Sequence, residues 1–480
     1  MSVAFKLVAA GCVLALLCCS CAGEARRPPS IEVPPAFENK RGDNAAAWPA
    51  AAWLHQFASA DLDALVALAE TGNLDIDAAA ARVRQADARA RASGAAFLPQ
   101  VDVGGNALHT VGRAGGASAH ETDWSALVSA SYEVDFWGRN RAGVTSADNL
   151  SLASRADLAT LRVTTLGGVA NMYFQVLSLR ERTQLAQLNL NATRAVLEFM
   201  EARFAVGMAN PAELASQKAA LANAEIAIPP LQQQESETRA ALAVLLGRAP
   251  EGFVIKDQTL DSLTEPAIDP GLPSELLLRR PDVLAAESLL ESAHADLAVA
   301  RAALFPSLSL TAGGGLQNPG VQAAVTTLAG TGYSLTVGAA LLQTLFDGGR
   351  RRAVIEEAAA REQELVANYR LAILNALRDV EISLAAIHSL DLQRRAQHDN
   401  VAQSERAAEG AQLRFREGAS DYLSVLDSQR ILFAAREQFS QYKLARLQAS
   451  VSLAKALGGG WQRANPDSAR LQPTSPMEKP

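Results

Sequence analysis

Residues 124–136 read WSALVSASYEVDF. Trp124, Ala126, Val128, Ala130, Tyr132, Val134 and Phe136 are apolar, and of the residues between them only Leu127 is. A period of two predicts a β-strand with one apolar and one polar face. Val101, Val103 and Ala107, set against Asp102, Asn106 and Thr110, give it a partner, with a Gly-rich turn at 112–116 between them. This predicted hairpin occupies 98–137. A second, at 306–346, sets Leu308, Leu310 and Ala312 against Ser307, Ser309 and Thr311, followed by Tyr333, Leu335, Val337 and Ala339. Strands of roughly 10–14 residues suit a tilted membrane strand, which needs about 9–11. A membrane strand must belong to a closed barrel. Four strands cannot close, and even eight leave an interior filled by side chains, so three copies giving twelve strands are the smallest assembly with an open channel.

The two hairpins belong to a duplicated chain. Asp75 pairs with Asp282 and Pro99 with Pro306 at one offset. Phe136-Trp137-Gly138-Arg139 echoes Phe346-Asp347-Gly348-Gly349-Arg350, and Arg203-Phe204-Ala205-Val206-Gly207 echoes Arg414-Phe415-Arg416-Glu417-Gly418. Leu245-Leu246-Gly247-Arg248 echoes Ala456-Leu457-Gly458-Gly459. The halves are 53–248 and 274–459, joined by a Pro-punctuated linker at 249–273. Each half opens with a helix (75–94; 282–303), continues through its hairpin, and then enters a proline-free run (139–207; 350–418) long enough for about 100 Å of helix. Leu166, Val169, Tyr173 and Val176 step by three, four and three, as do Leu377, Val380, Leu384 and Ile387, which predicts a coiled-coil seam. A shorter helix returns in each half (211–246; 420–457), and Pro229-Pro230 should kink or break the first of them.

All four cysteines, Cys12, Cys18, Cys19 and Cys21, precede residue 22. The apolar run Leu7–Leu17 behind Lys6 is too short to span a bilayer but fits the core of an export signal. Leu17, Ser20 and Cys21 resemble a bacterial lipoprotein box, with residues 1–20 as signal peptide and Cys21 lipidated. Cys18 stands where that box usually has an aliphatic residue, and Ser20-Cys21-Ala22 also fits an ordinary small-residue cleavage site. Ala22 after the cysteine resembles lipoproteins sorted to the outer membrane. Residues 21–52, with Pro28-Pro29, Pro34-Pro35 and Pro49, read as an extended tether, and 460–480 as an irregular tail. The net charge of −7 is mixed along the chain, with no basic stripe for nucleic acid. The six histidines are scattered and no spaced Cys/His pairs suggest a metal site. His294 and His388 read as packed or surface residues of helices. There is no Gly-rich phosphate loop and no nucleophile elbow, so the reading is of a non-enzyme without cofactor apart from the lipid.

The chain resembles the TolC-like outer membrane factors in their lipoprotein branch, the OprM-like and NodT-like proteins. The resemblance rests on Leu277–Glu287 (LLRRPDVLAAE), Leu304–Leu308 (LFPSL), Leu345–Arg350 (LFDGGR) and Phe415–Gly418 through Tyr422–Arg430 (YLSVLDSQR), and it covers about residues 50–460. It implies a mainly helical homotrimer with a twelve-stranded outer membrane β-barrel continued by a periplasmic α-barrel. In such proteins two short helices stack end to end beside each long one. The resemblance also implies the exit duct of a three-part pump, passive in itself, working with a periplasmic adaptor and an inner membrane transporter and embedded in outer membrane lipid. The alternative of a different class is a lipid-anchored periplasmic adaptor or scaffold built from coiled-coil hairpins.

Carried over by motif, the resemblance implies a pore gate at Leu423, Asp427 and Arg430, with Asp427 forming an acidic ring around the axis. Asp427 and Arg430 also read simply as an i,i+3 ion pair on a helix surface. The position where some relatives carry a latching tyrosine is Phe415, which has no hydroxyl, and the matching carboxylate on the other hairpin is Glu213. A further carboxylate position of the family is Ser424 here. The latch is then looser, or uses Arg414 or Arg416. Arg279 and Arg280 read as structural, since Pro281 and Asp282 suit a helix's first turn.

Overall fold

A computed structural model describes residues 34–40, 52–114, 117–256, 258–266, 268, 270–317 and 332–463. The leader, Cys21, most of the tether and the tail from 464 lie outside the described residues.

Four strands form one antiparallel sheet in the order β1 (Gln100–Ala114), β2 (Ala117–Val134), β3 (Ser307–Gln317), β4 (Gly332–Leu342). The register brings the apolar residues of all four strands onto one face. Val103 lies opposite Val128, Tyr132 opposite Leu310, Leu308 opposite Leu341, and Leu316 opposite Tyr333. The other face carries Asp102 opposite Ser129, Ser131 opposite Thr311, and Glu133 opposite Ser309. Leu127, out of phase as Leu108 of β1 and Leu342 of β4 also are, lies in register between Gly104 and Gly315, whose missing side chains leave room for it. Among the described residues much of the apolar face is uncovered: Val103 is 81% exposed. From Trp124 to Val134 it runs about 33 Å along the strand, or roughly 25 Å after a membrane-strand tilt of about 40°. Aromatic rings mark both ends, with Trp124 and Tyr333 at one and Phe136, Trp137 and Phe305 at the other. Among the described residues no helix is long and apolar enough to cross a membrane.

The helical part is built on two helices of 67 residues each, α3 (Arg139–Ala205) and α8 (Arg350–Arg416). Alongside them run α2 (Leu74–Gly94), the pair α4 (Pro211–Ile226) and α5 (Ile228–Leu245), α7 (Pro281–Ala302) and α9 (Tyr422–Ala456). The return helix of the first half is interrupted at Ala227, just before Pro229-Pro230, whereas α9 is continuous. Ala227 keeps helical dihedrals, so the prolines kink the path rather than reverse it. First-half α2, α4 and α5 pack chiefly on α3, while α7 and α9 pack on both α3 and α8. Small residues permit this closeness. Ser146 of α3 and Ser292 of α7 share a buried hydrogen bond of 3.0 Å, and a Cβ on Gly167 of α3 would lie 2.5 Å from Lys455 Cδ of α9.

Two elements not legible in the sequence add to the middle of the bundle: α1 (Ala60–Gly72), preceded by a 3-10 turn at Trp53–Phe57, and α6 (Pro273–Arg279). Ser59 caps α1 by accepting the Leu62 N–H at 3.2 Å. Trp53, Phe57, Leu62 and Leu65 bury against Val169, Tyr173, Phe174 and Leu177 of α3 and Val451 of α9, forming the largest apolar core. A polar knot beside it is Gln258 Oε1, which accepts from Tyr173 (2.6 Å) and from Ser59 (2.7 Å). The linker between halves is fastened here too: the Arg180 guanidinium donates to Glu235 and to the carbonyls of Ile255 and Lys256 at 2.9–3.1 Å. One stretch of the tether, 34–40, lies against α8, where Glu381 accepts the Glu38 N–H (2.7 Å) and the Asn39 side-chain amide (2.9 Å).

The duplication is visible in the backbone. Gly247 ends α5 and Gly458 ends α9, both with positive φ. A Cβ on Gly247 would lie 1.9 Å from the Gly72 carbonyl oxygen, and one on Gly458 would lie 2.2 Å from that of Arg279. In each half, then, the end of the return helix abuts the end of the short helix, α1 or α6, that precedes α2 or α7, at a distance only glycine allows. Arg280 secures the second junction by bridging Asp282 (2.6 Å), Asp379 (3.3 Å) and the Ala456 carbonyl (3.1 Å). This supports its reading as a structural residue.

Candidate functional site: the turns of the two long hairpins

Each long helix ends in the same way. Gly207 and Gly418 take positive φ of 73° and 74°. The Met208 and Ala419 N–H groups reach back to the Arg203 and Arg414 carbonyls at 2.9 and 2.8 Å. This Schellman geometry satisfies carbonyls that the helix end would orphan, and it reverses the chain. The return helices are capped at once. Asn210 accepts the Ala212 N–H at 2.9 Å, while Glu213 Oε2 accepts the Asn210 N–H at 3.2 Å. On the other hairpin Asp421 accepts the Ser424 N–H at 3.0 Å and its hydroxyl as well. These bonds hold the Asp421 carboxyl below the usual carboxylate range.

Between the hairpins lies a small core of Val196, Met200, Ala411, Phe415, Tyr422 and Val425. Phe415, which lacks the hydroxyl of some relatives, packs edge-on against Phe199 of α3 at 5.8 Å and against Tyr422 at 6.0 Å. The Arg203 guanidinium of α3 lies 5.1 Å from its ring centre, a cation–π contact from one hairpin to the other. Glu213 serves as a helix cap rather than meeting Phe415. Ser424 is committed to Asp421.

A hydroxyl does cross between the hairpins, but from Tyr422. It donates to Gln217 Oε1 of α4, and both residues are buried. Gln217 Nε2 in turn donates to the Thr193 carbonyl of α3 at 2.6 Å. Burial pushes the Tyr422 hydroxyl up to about 12, and the nearby Glu213 carboxylate adds to the rise. The tie therefore stays protonated and intact at physiological pH. Nothing in the sequence pattern marks Gln217 as its partner, since it reads as one more polar residue of an alanine-rich helix.

Leu423, Asp427 and Arg430 lie on the first turns of α9. Asp427 and Arg430 form an i,i+3 ion pair at 2.8 Å, open to solvent, and Leu423 is 69% exposed. Within one protomer these three side chains are presented outward and are not brought against the other hairpin. His294 lies 3.3 Å from the buried Glu362. Among the described residues no group of three His, Cys, Asp or Glu side chains could hold a metal ion.

The two halves each match one family description, Outer membrane efflux protein, over residues 65–248 and 272–459. The pyoverdine export outer membrane protein OpmQ of Pseudomonas aeruginosa is 43% identical over 427 residues, 87% of this chain and 89% of that protein. The cation efflux system protein CusC of Escherichia coli strain K12 is 30% identical over 95% of this chain and 99% of its own length. Among solved structures, the outer-membrane channel OprN superposes with a TM-score of 0.80 at 28% identity, covering 91% of this chain and all of that one. With an apolar-faced open sheet, two helices of about 100 Å and a duplicated plan all accounted for by these likenesses, the chain belongs to the outer membrane efflux protein family.

Proposed function

We propose that this outer membrane efflux component works as a homotrimeric exit duct, continued into the periplasm by its helices and opened at its hairpin turns. The observation that carries the reading is the four-stranded sheet with one face apolar along most of its length and, among the described residues, two unpaired edges, β1 and β4. An even number of strands keeps alternation intact, so β4 of one copy meets β1 of the next antiparallel. The helices ask for the same closure. α3 carries α2, α4 and α5 in addition to α7 and α9, whereas among the described residues α8 has no such set, and α2 and α5 of another copy would supply it. Such head-to-tail contacts form a ring when the rotation closes, and twelve strands leave a channel. The relatives reported above are efflux proteins and channels, not enzymes, and the duct moves cargo passively. Its energy comes from an inner membrane transporter reached through a periplasmic adaptor.

In this reading Cys21 carries lipid and anchors the chain at the outer membrane. The turn at Leu423, Asp427 and Arg430 narrows the pore, and rings of carboxylate favour cations. The OpmQ relative makes pyoverdine the first cargo to test. A lipid-anchored adaptor is not favoured, because it gives no role to the apolar sheet face. The test is reconstitution into planar bilayers with the oligomeric state measured in parallel. Trimers that form ion-conducting channels support the duct, and a protein that stays monomeric and leaves bilayers tight refutes it. Cys21→Ser should abolish fatty-acid labelling, and persistent labelling would move the anchor to Cys18 or Cys19.

A further inference from the structure

The duplication supplies an internal comparison where each strand pair hands over to its long helix. In the first half, Arg139 and Arg141 of α3 each meet a carboxylate just upstream: Glu133 at 2.6 Å and Asp135 at 3.3 Å. In the second half three arginines follow the strand, Arg350, Arg351 and Arg352, and one carboxylate precedes them. Asp347 takes Arg351 at 3.6 Å. The residues before Asp347 are Thr344, Leu345 and Phe346, none charged. Arg350 and Arg352 are exposed, and among the described residues neither has an ion-pair partner.

The surroundings say what would neutralise them. Leu345 and Phe346, immediately upstream, are 93% and 90% exposed and lie just beyond the end of β4. Arg350 also lines a cavity of about 370 Å³, one wall of which is Trp137 stacked on Phe305 at 4.6 Å; its charged lining is Arg139, Arg350 and Arg351 against Glu133 and Asp135, the last two already paired with Arg139 and Arg141, and Arg352 lies outside it. Aromatic rings at the end of an apolar band, with cations one turn further on, match the level where acyl chains give way to phosphates. A neighbouring copy is the poorer partner. Its β1 edge would adjoin β4, and the chain leading into β1 brings Arg89 and Arg91; of the carboxylates on either side, Asp87 is already bonded to Ser151 and Arg155, and Asp102 lies on the polar face of β1 opposite Ser129.

We infer that Arg350 and Arg352, with the adjoining aromatic-walled cavity, bind the phosphate headgroup of an anionic phospholipid in the periplasmic leaflet of the outer membrane. This rests on the reading that the sheet spans that membrane. The bound lipid supplies to the second half the negative charge that Glu133 and Asp135 supply to the first, and it fixes the height of the barrel in the bilayer.

The probe is phosphatidylglycerol, titrated against phosphatidylcholine into the purified full chain and read by native mass spectrometry. R350Q/R352Q is compared with R414Q/R416Q, which removes two exposed arginines at the far end of the same helix. At roughly fivefold per charge, the double change at 350 and 352 should weaken phosphatidylglycerol binding roughly 30-fold, while phosphatidylcholine binding and the tip variant stay as wild type. Equal phosphatidylglycerol binding by R350Q/R352Q and wild type overturns the site. So does a variant that dissociates into monomers with no change in lipid preference, since the arginines would then serve contact between copies. Bilayer conductance separates the two readings: a wild type that forms no channels sinks the duct itself, whereas channels without lipid preference sink only the lipid site.

Discussion

Tyr422→Phe tests whether the tie between hairpins holds the duct closed. The change keeps the ring and its contact with Phe415, and removes only the hydroxyl that reaches Gln217. Gln217 is fully buried, so its Oε1 loses its partner without gaining water. A buried polar group left unsatisfied costs about 1–3 kcal/mol. That cost falls on the arrangement in which α9 and α4 touch, and not on the central core around Phe174. The closed state should therefore lose a factor of roughly 5 to 150 against any state in which the hairpins part. Single-channel recording should show at least a fivefold rise in open probability, with trimer content unchanged. Gln217→Leu alone strands the tyrosine hydroxyl and should act in the same direction. The double variant Y422F/Q217L leaves neither group orphaned and should return most of the way to wild type. If Y422F gates as wild type does, or if the two changes simply add, the bond is packing and not a latch.

Leu423→Ala should widen the pore and raise conductance, and Asp427→Ala should weaken cation preference, both with normal trimers; unchanged conductance and selectivity in both would place the constriction elsewhere, with the first-half turn around Asn210, Pro211 and Glu213 next to be tested. Gly458→Ala should lower Tm sharply, because its Cβ would lie 2.2 Å from the Arg279 carbonyl oxygen. Gly207→Ala, with the same sign of φ but nothing within 4 Å, should cost only about 1 kcal/mol. Similar Tm losses in the two would show that the close approach is not what demands glycine. Because Tyr422 holds its proton to a higher pH when folded, the unfolded chain binds fewer protons above pH 10, and tip stability should fall as pH rises from about 10 through about 12. Hydrogen exchange at the hairpin ends should record that loss in wild type, and Y422F should abolish the pH dependence.

Periodic features were readable because they repeat a local rule. The alternation from Trp124 to Phe136 needs only the strand's period of two, and Gly207 and Gly418 announce helix ends wherever they stand. Pro229-Pro230 gave away the kink for the same local reason. The short helix α1 was missed because its counterpart α6 is only seven residues long, so comparison of the halves offers no echo. The latch eluded sequence reading for a different cause. Phe415 could be compared position by position with a family tyrosine, but Tyr422 and Gln217 are 205 residues apart. Their pairing depends on two 67-residue helices ending at the same level. The Arg203 contact with Phe415 has the same origin.

The unequal dressing of the two long helices, with α2, α4 and α5 chiefly on α3 and only α7 and α9 shared with α8, has a genetic consequence. Every ring needs each copy to complete its neighbour, so one faulty subunit spoils a duct that contains two sound ones. In a cell making equal amounts of wild-type and closed-locked chains, about one ring in eight would be wholly sound if copies mix at random. A tip variant that folds normally but cannot open would therefore be dominant, whereas a variant that fails to fold would be recessive. Drug or metal sensitivity in such a mixed strain would distinguish a gate defect from a folding defect without purifying the protein.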